Sequence, residues 1–212
     1  MEVLSDVGLY RHIRFRRPGT MSMHFDLVTW PGYLAYSGDM GCYVFCRLDD
    51  MFEFFRTDRR DRGGKLCINL GYWSEKLQAV SGNRDHAAAK EFSEEKFRRV
   101  INETRIEWIR DAARSKMLSK EKRRELWESI DGEILDRIEE GGDSAIAAAR
   151  NFYWPQSWNT VSGVSRNARW EFQDFWGHNF TEYTFHFVWC CYALAWGIKT
   201  YDDAKEKESS HA

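Results

Sequence analysis

The sequence predicts an α+β fold: an N-terminal antiparallel β-meander packed against a C-terminal helical layer with a buried last helix. Between residues 9 and 47, apolar and polar residues alternate in short runs broken by Pro-Gly and Gly-Asp signals, the pattern of half-buried strands joined by tight turns. From residue 93 the period lengthens to that of amphipathic helices. The segment 185–198 is apolar on every side, as expected of a helix buried on several faces.

The elements follow in order. In Leu9 to Arg17, His12, Arg14 and Arg16 share one face while Ile13 and Phe15 share the other, and Pro18-Gly19 turns the chain. Thr20 to Trp30 places Met21, Met23, Phe25 and Leu27 on one face and Ser22, His24 and Asp26 on the other. Pro31-Gly32 ends that run; Tyr33 to Ser37 and Cys42 to Arg47 flank the turn Gly38-Asp39-Met40-Gly41. Asp49 or Asp50 caps a short helix through Arg56 whose Met51, Phe52, Phe54 and Phe55 face the core. A polar, Arg-rich loop over 57–65 precedes a fifth strand over 66–70 and a short helix over 72–80.

Ser93 is the expected N-cap of a long helix, with Glu94 and Glu95 in its first turn and Phe92 and Phe97 placed as a hydrophobic staple. Phe97, Ile101, Thr104 and Trp108 form its inward stripe. Ser119 opens the next helix, where Leu126, Ile130, Ile134 and Ile138 recur at every fourth position until Gly141-Gly142 closes it. Asp143 or Ser144 caps a third helix to about Phe152. Tyr153 to Gly177, with Trp154, Trp158, Trp170 and Trp176, reads as a packed irregular loop. Asn179 or Thr181 caps the final helix to about Ala204. The chain is expected to form one domain over 1–204, strand-rich over 9–70 and helical over 72–204, with a flexible tail over 205–212.

Composition narrows the function classes. A hydrophobic fraction of 43% and an aromatic fraction of 16% exclude intrinsic disorder. A formal charge of −2 argues against a protein that coats nucleic acid by neutralising many phosphates. Cys42, Cys46, Cys67, Cys190 and Cys191 are odd in number and lack a Cys-x-x-Cys spacing, so they read as free thiols of a reducing cytosol. The N-terminal residues have no signal-peptide character, and Phe185 to Ile198 is too short for a membrane span, which needs roughly 20 apolar residues. The expected localisation is cytoplasmic.

Candidate chemistry begins with arginine. Arg11, Arg14, Arg16 and Arg17 lie in the first run, and Arg56, Arg59, Arg60 and Arg62 follow the first short helix, beside Tyr10, Phe15 and Tyr43 if strand and loop are neighbours. Guanidinium groups next to aromatics suit phosphate contact and base stacking. The opposing reading is a solvated face paired with Asp49, Asp50, Asp58 and Asp61. His24 and Asp26, with Ser22, offer a base–orienter pair, but strand neighbours two apart are poorly placed for it and no oxyanion hole accompanies them. Glu182, His186 and Cys190 share one helical face near His178 and include zinc-ligand types, yet the surrounding Phe, Val and Trp favour a core histidine. Asp131, Glu133, Asp136, Glu139 and Glu140 read as a solvated acidic face. The 10 Trp exceed the needs of one core, which would place some rings at the surface or in clefts, where they mark interfaces; the opposing reading is a core rich in large rings. No catalytic residue, metal site or cofactor is expected.

Two blocks carry a family resemblance. One runs His24-Phe25-Asp26-Leu27-Val28-Thr29-Trp30-Pro31-Gly32-Tyr33-Leu34 into Gly38-Asp39-Met40-Gly41 and Asp50-Met51-Phe52-Glu53-Phe54-Phe55-Arg56. The other is Asp174-Phe175-Trp176, followed by Phe187-Val188-Trp189-Cys190-Cys191-Tyr192-Ala193-Leu194-Ala195-Trp196-Gly197-Ile198. Together they resemble a family of small accessory proteins of tailed phages and prophages of enteric bacteria. The resemblance covers the strand region and the last helix, not the middle helices. The family has no established reaction and transfers no catalytic residue. It implies a host bacterial cytosol and a non-enzymatic protein that binds and inhibits a host anti-phage defence complex, anti-CRISPR-like, with a defence protein or ribonucleoprotein as partner. Arg14, Arg16, Arg17, Arg56, Arg59, Arg60, Arg62, Trp158 and Trp170 are the expected binding residues. Direct nucleic-acid binding through the arginine strand and loop is the alternative. The oligomeric state stays open.

Overall fold

The structure is a computed structural model that describes residues 1–20, 22–56, 66, 68–80, 89–159, 165–172 and 174–210, with only the backbone for 155–159 and 165–169. The chain divides into two compact units, Met1–Glu91 with Tyr183–Ala212, and Phe92–Glu182. The class is α+β, with an N-terminal six-stranded antiparallel sheet and C-terminal helices.

The first unit is built on a meander in which each strand pairs with its neighbours in sequence: β1 (Glu2–Val7), β2 (Tyr10–Phe15), β3 (Phe25–Trp30), β4 (Tyr33–Gly38), β5 (Gly41–Cys46) and β6 (Leu77–Val80). Alternation decides its faces. Ile13, Phe15, Phe25, Leu27, Leu34, Tyr36, Tyr43 and Phe45 are buried on one side, in register across the strands as Ile13↔Leu27, Leu27↔Tyr36 and Tyr36↔Tyr43. Two strands depart from expectation. β1 lies ahead of the first predicted strand, and β6 replaces the end of the helix expected over 72–80. In 66–70 no described residue is in a strand; Leu70 opens α2 (Leu70–Ser74), capped by Asn69, whose side chain accepts from the Tyr72 amide at 3.0 Å.

Over the buried sheet face lie α1 (Met51–Arg56) and α6 (Phe185–Ser210). α1 forms as expected, with Asp50 Oδ1 accepting from the Phe52 amide at 2.9 Å. α6 begins later than expected, where Thr184 Oγ1 accepts from the Phe187 amide at 3.2 Å, and continues to Ser210 rather than fraying after Ala204. Small residues let α6 sit close to the sheet. A Cβ on Gly197 would lie 3.1 Å from Leu27 Cδ1 and 3.2 Å from the Phe15 ring, so only glycine fits without displacing them.

A charged network closes one side of this unit. Arg11 donates to both carboxylate oxygens of Asp50 at 2.8 and 3.0 Å, and Arg56 to both of Asp202 at 2.6 and 3.0 Å. Both guanidinium groups lie over the Phe52 ring, at 4.8 and 5.6 Å from its centroid. Burial works to raise the Asp50 carboxyl, but hydrogen bonds from Arg11 and the Phe52 amide outweigh it and hold the group below the ordinary carboxylate value. The Tyr201 hydroxyl donates to Asp6 at 2.9 Å, which anchors β1 to α6.

The second unit holds α3 (Glu94–Arg114), α4 (Lys120–Ile130) and α5 (Gly142–Asn151), followed by the hairpin strands β8 (Trp154–Asn159) and β9 (Ser165–Trp170). The remaining strands, β7 (Lys90–Phe92) and β10 (Thr181–Tyr183), lie where the chain passes between units. Ser93 precedes α3 as expected, but its hydroxyl donates to Glu182 at 2.8 Å instead of capping. The helix begun at Lys120 widens into a π turn over Asp131–Leu135 and tightens into a 3-10 turn over Asp136–Glu140. The four-residue repeat accounts for this. On a regular helix of 3.6 residues per turn it drifts by about 40° per step, and a wider turn recovers the alignment. Leu126, Ile130 and Ile134 are accordingly all fully buried. The expected irregular loop over 153–177 instead contains the β8–β9 hairpin, in which Trp154 opposes Trp170.

A candidate binding surface on the last helix

The described members of the arginine set do not form one patch. Arg11 and Arg56 are committed to Asp50 and Asp202, as above. On the other sheet face, Arg14 donates twice to Asp26, at 2.9 and 2.8 Å, while His12 Nε2 lies 2.8 Å from the same carboxylate. Burial would raise the Asp26 carboxyl, but these partners hold it below its ordinary value. Arg16 and Arg17 lie just past β2 and are exposed. Arg16 reaches only the exposed Glu2, at 3.4 Å, and the Arg17 side chain has no partner among the described residues. Arg59, Arg60 and Arg62 lie outside the described residues, as do Met21 and Cys67, and the Trp158 side chain is likewise not described. Trp170 is only 8% exposed and meets Trp154 at 5.5 Å in the core of the second unit, so little of its ring remains for a partner.

The His24–Asp26 pair does not form. His24 Nδ1 lies 2.8 Å from Asp39, and Asp26 is taken by Arg14 and His12. The reason lies in Met23, which has φ 59°, so the regular strand starts at Phe25 and not at Thr20. Left-handed backbone costs roughly 1–2 kcal/mol for a side chain like this one. Asp39 offsets the cost by clamping the turn, since its carboxylate accepts from the Met23 amide as well as facing His24. The Met23 side chain, expected on the buried face, is 57% exposed.

Met23 adjoins the surface that sequence reasoning missed. α6 is not buried all round. Phe187, Cys190, Leu194, Ile198 and Tyr201 are sealed in the core, whereas Phe185 is 66%, Tyr192 53% and Trp196 47% exposed. With half-buried Trp189 between them, these rings recur at helical spacing and make one solvent-facing stripe. Trp189 and Trp196 are held edge-on by Phe25, at 5.9 and 6.2 Å, so their orientation is fixed by the core below. Met23, Leu66, Trp189, Tyr192 and Trp196 line a shallow cleft of about 340 Å³. Met23 and Trp196 also line a second cleft, of about 660 Å³, with Arg16 and Arg17. The two clefts are therefore neighbours on either side of Met23 and Trp196, and Arg16 and Arg17 lie beyond the end of the aromatic stripe.

Burial governs the remaining candidates. The thiols of Cys190 and Cys191 lie within the core, and burial pushes both up from the ordinary value, away from thiolate chemistry. The Tyr43 phenol is pushed up to about 12 by burial. The Tyr36 hydroxyl, fully buried, finds no hydrogen-bond partner among the described residues. No group of metal-ligating side chains capable of holding an ion occurs among the described residues, and Glu182 instead accepts from Ser93. No helix among them is long and apolar enough to cross a membrane. In comparisons with known proteins, no family model, curated protein or solved structure gave a significant match.

Proposed function

We propose that this chain is a non-enzymatic binding protein encoded by a phage or prophage, which acts in the host cytoplasm by covering a surface of a host anti-phage defence complex. The observation that carries the binding role is the solvent-facing stripe of Phe185, Tyr192 and Trp196 on α6. Contiguous exposed rings on a rigid element are costly to leave in water and are the residue types that anchor protein interfaces. The phage context and the kind of target come from the family resemblance of the strand region and the last helix. The arginines weigh against direct nucleic-acid binding as the main role. Arg14, Arg56 and Arg11 are neutralised by carboxylates, which among the described members of the set leaves Arg16 and Arg17 to meet phosphates.

The test is affinity purification of the tagged protein from bacteria carrying several defence systems, read by mass spectrometry, alongside phage plating on the same hosts. The expected result is stoichiometric recovery of one defence component and restored plating on hosts that carry it. Recovery of none, with plating unchanged on every defended host, overturns the proposal.

A further inference from the structure

We propose that the stripe and the adjoining cationic cleft take an acidic amphipathic segment of the partner protein. Its apolar side would lie along Phe185, Trp189, Tyr192 and Trp196, and its carboxylates against Arg16 and Arg17. The inference rests on the binding role proposed above and adds the chemistry of the bound element.

The surface is elongated. From Phe185 to Trp196 the helix rises about 16 Å, three turns, which matches an apolar stripe of similar length on a partner helix laid alongside. It is also polar in the sense of having two different ends. The cleft shared by Tyr192 and Trp196 is bounded by Met23, Leu66 and Ala193, all without charge. The cleft beyond Trp196 is bounded by Arg16 and Arg17, with no carboxylate among the described residues that line it. Arg16 faces Glu2 at 3.4 Å, and both groups are nearly half exposed, Glu2 at 49% and Arg16 at 45%. An exposed pair of that kind contributes little and exchanges readily for a partner's carboxylate. Arg17 is exposed and has no partner among the described residues to give up.

Charge complementarity selects an anionic occupant, and the geometry distinguishes which. Single-stranded nucleic acid needs cations repeated along the stacking platform, one per backbone phosphate. Among the described residues lining the two clefts, the side-chain cations, Arg16 and Arg17, lie at one end of the stripe. A protein segment with apolar residues at helical spacing and acids clustered at one end fits both halves. Met23 supports a built surface. Its strained φ of 59° is fixed by Asp39 and holds a flexible thioether at the junction of the two clefts, where it can adapt to a partner's side chains.

The experiment measures fluorescence anisotropy of synthetic peptides with the full-length protein. One helix-forming peptide carries Leu at the spacing of the stripe and Glu clustered at one end. A second carries Lys in place of that Glu, and oligothymidylate is the third probe. The expected result is binding of the Glu peptide about tenfold tighter than the Lys peptide, from two or three exposed ion pairs. In Arg16→Glu/Arg17→Glu the preference inverts while melting stays unchanged. In Tyr192→Ser/Trp196→Ser both peptides weaken together. Equal binding of the two peptides, binding of neither, or tighter binding of oligothymidylate overturns the inference. Its failure is distinct from that of the proposed function. Capture of a defence complex without peptide discrimination leaves the function standing and removes this inference, whereas discrimination without capture does the reverse.

Discussion

Along one side of α6, Phe187, Cys190, Leu194 and Ile198 have no contact with water; along the other, Phe185, Tyr192 and Trp196 stand about half or more in solvent. The residue classes are the same, and average hydrophobicity separates the sides poorly. Size separates them better. Where the helix comes close to Leu27 and Phe15 of the sheet it carries Gly197, and Trp189 and Trp196 lie toward the rim or outward. At Gly197 the close approach of backbone to sheet leaves no room for a side chain, while Phe187 finds room against Tyr43 and Phe45 further along the helix. An apolar helix is therefore not by itself evidence of a buried one. Its pattern of small and large residues says which side is packed and which is left over.

The comparison is broken most directly by truncation on each side. Phe187→Ala should cost about 3–5 kcal/mol, a large share of a typical 5–15 kcal/mol total, and leave the protein partly unfolded in urea. Tyr192→Ser should shift the urea midpoint by no more than about 0.5 kcal/mol. Trp189, which straddles both sides, falls between them. Next in size is Gly197→Ala. The added methyl would crowd Leu27 and Phe15, so the expected loss is about 1–3 kcal/mol, and an unchanged midpoint would show that the helix can lift from the sheet without cost.

Acid sharpens the account of what fixes the packed side. Asp6, Asp26 and Asp50 are all held below the ordinary value of 3.8 in the folded protein, because hydrogen bonds from Lys205 and Tyr201, from Arg14 and His12, and from Arg11 and the Phe52 amide outweigh the opposing effect of burial. The unfolded chain then binds protons first as pH falls. The stabilisation is complete above 3.8 and is lost as pH drops below it toward the folded values. Circular dichroism should show unfolding beginning below that pH, and Asp50→Asn should flatten the transition. The smallest effect concerns Tyr36. Its buried hydroxyl has no partner among the described residues, so Tyr36→Phe should leave melting unchanged or raise it. A loss of about 1 kcal/mol or more would reveal a partner for that hydroxyl.

What was legible in the sequence follows the same physics. β2, β4 and β5 were readable because one face of each is buried and the turns between β3 and β5 carry Pro31-Gly32 and Gly38-Asp39. β1 and β6 were not, because their residues are exposed or only half-buried, so burial imposes no alternation on them. The β8–β9 hairpin hid behind polar residues and tryptophans that read as loop. Of the candidate surface, Arg16 and Arg17 were legible as cations. Tyr192 and Trp196 were visible as apolar but assigned inward, and Met23 was assigned to a strand it precedes. The signal that could have placed them was the contrast between large rings at 185, 189, 192 and 196 and the small residues at 193, 195 and 197.

The central claim is that the exposed side of α6 binds and the buried side folds. The most direct measurement compares wild type with Tyr192→Ser/Trp196→Ser for capture of a defence component, at matched expression and with melting recorded for both. Capture and restored plating should be lost while the protein stays folded, with melting lowered only by the packing that Trp196 gives up against Phe15 and Phe25. Full capture by the double variant, at a melting temperature close to wild type, would contradict it and take the binding role away from this helix.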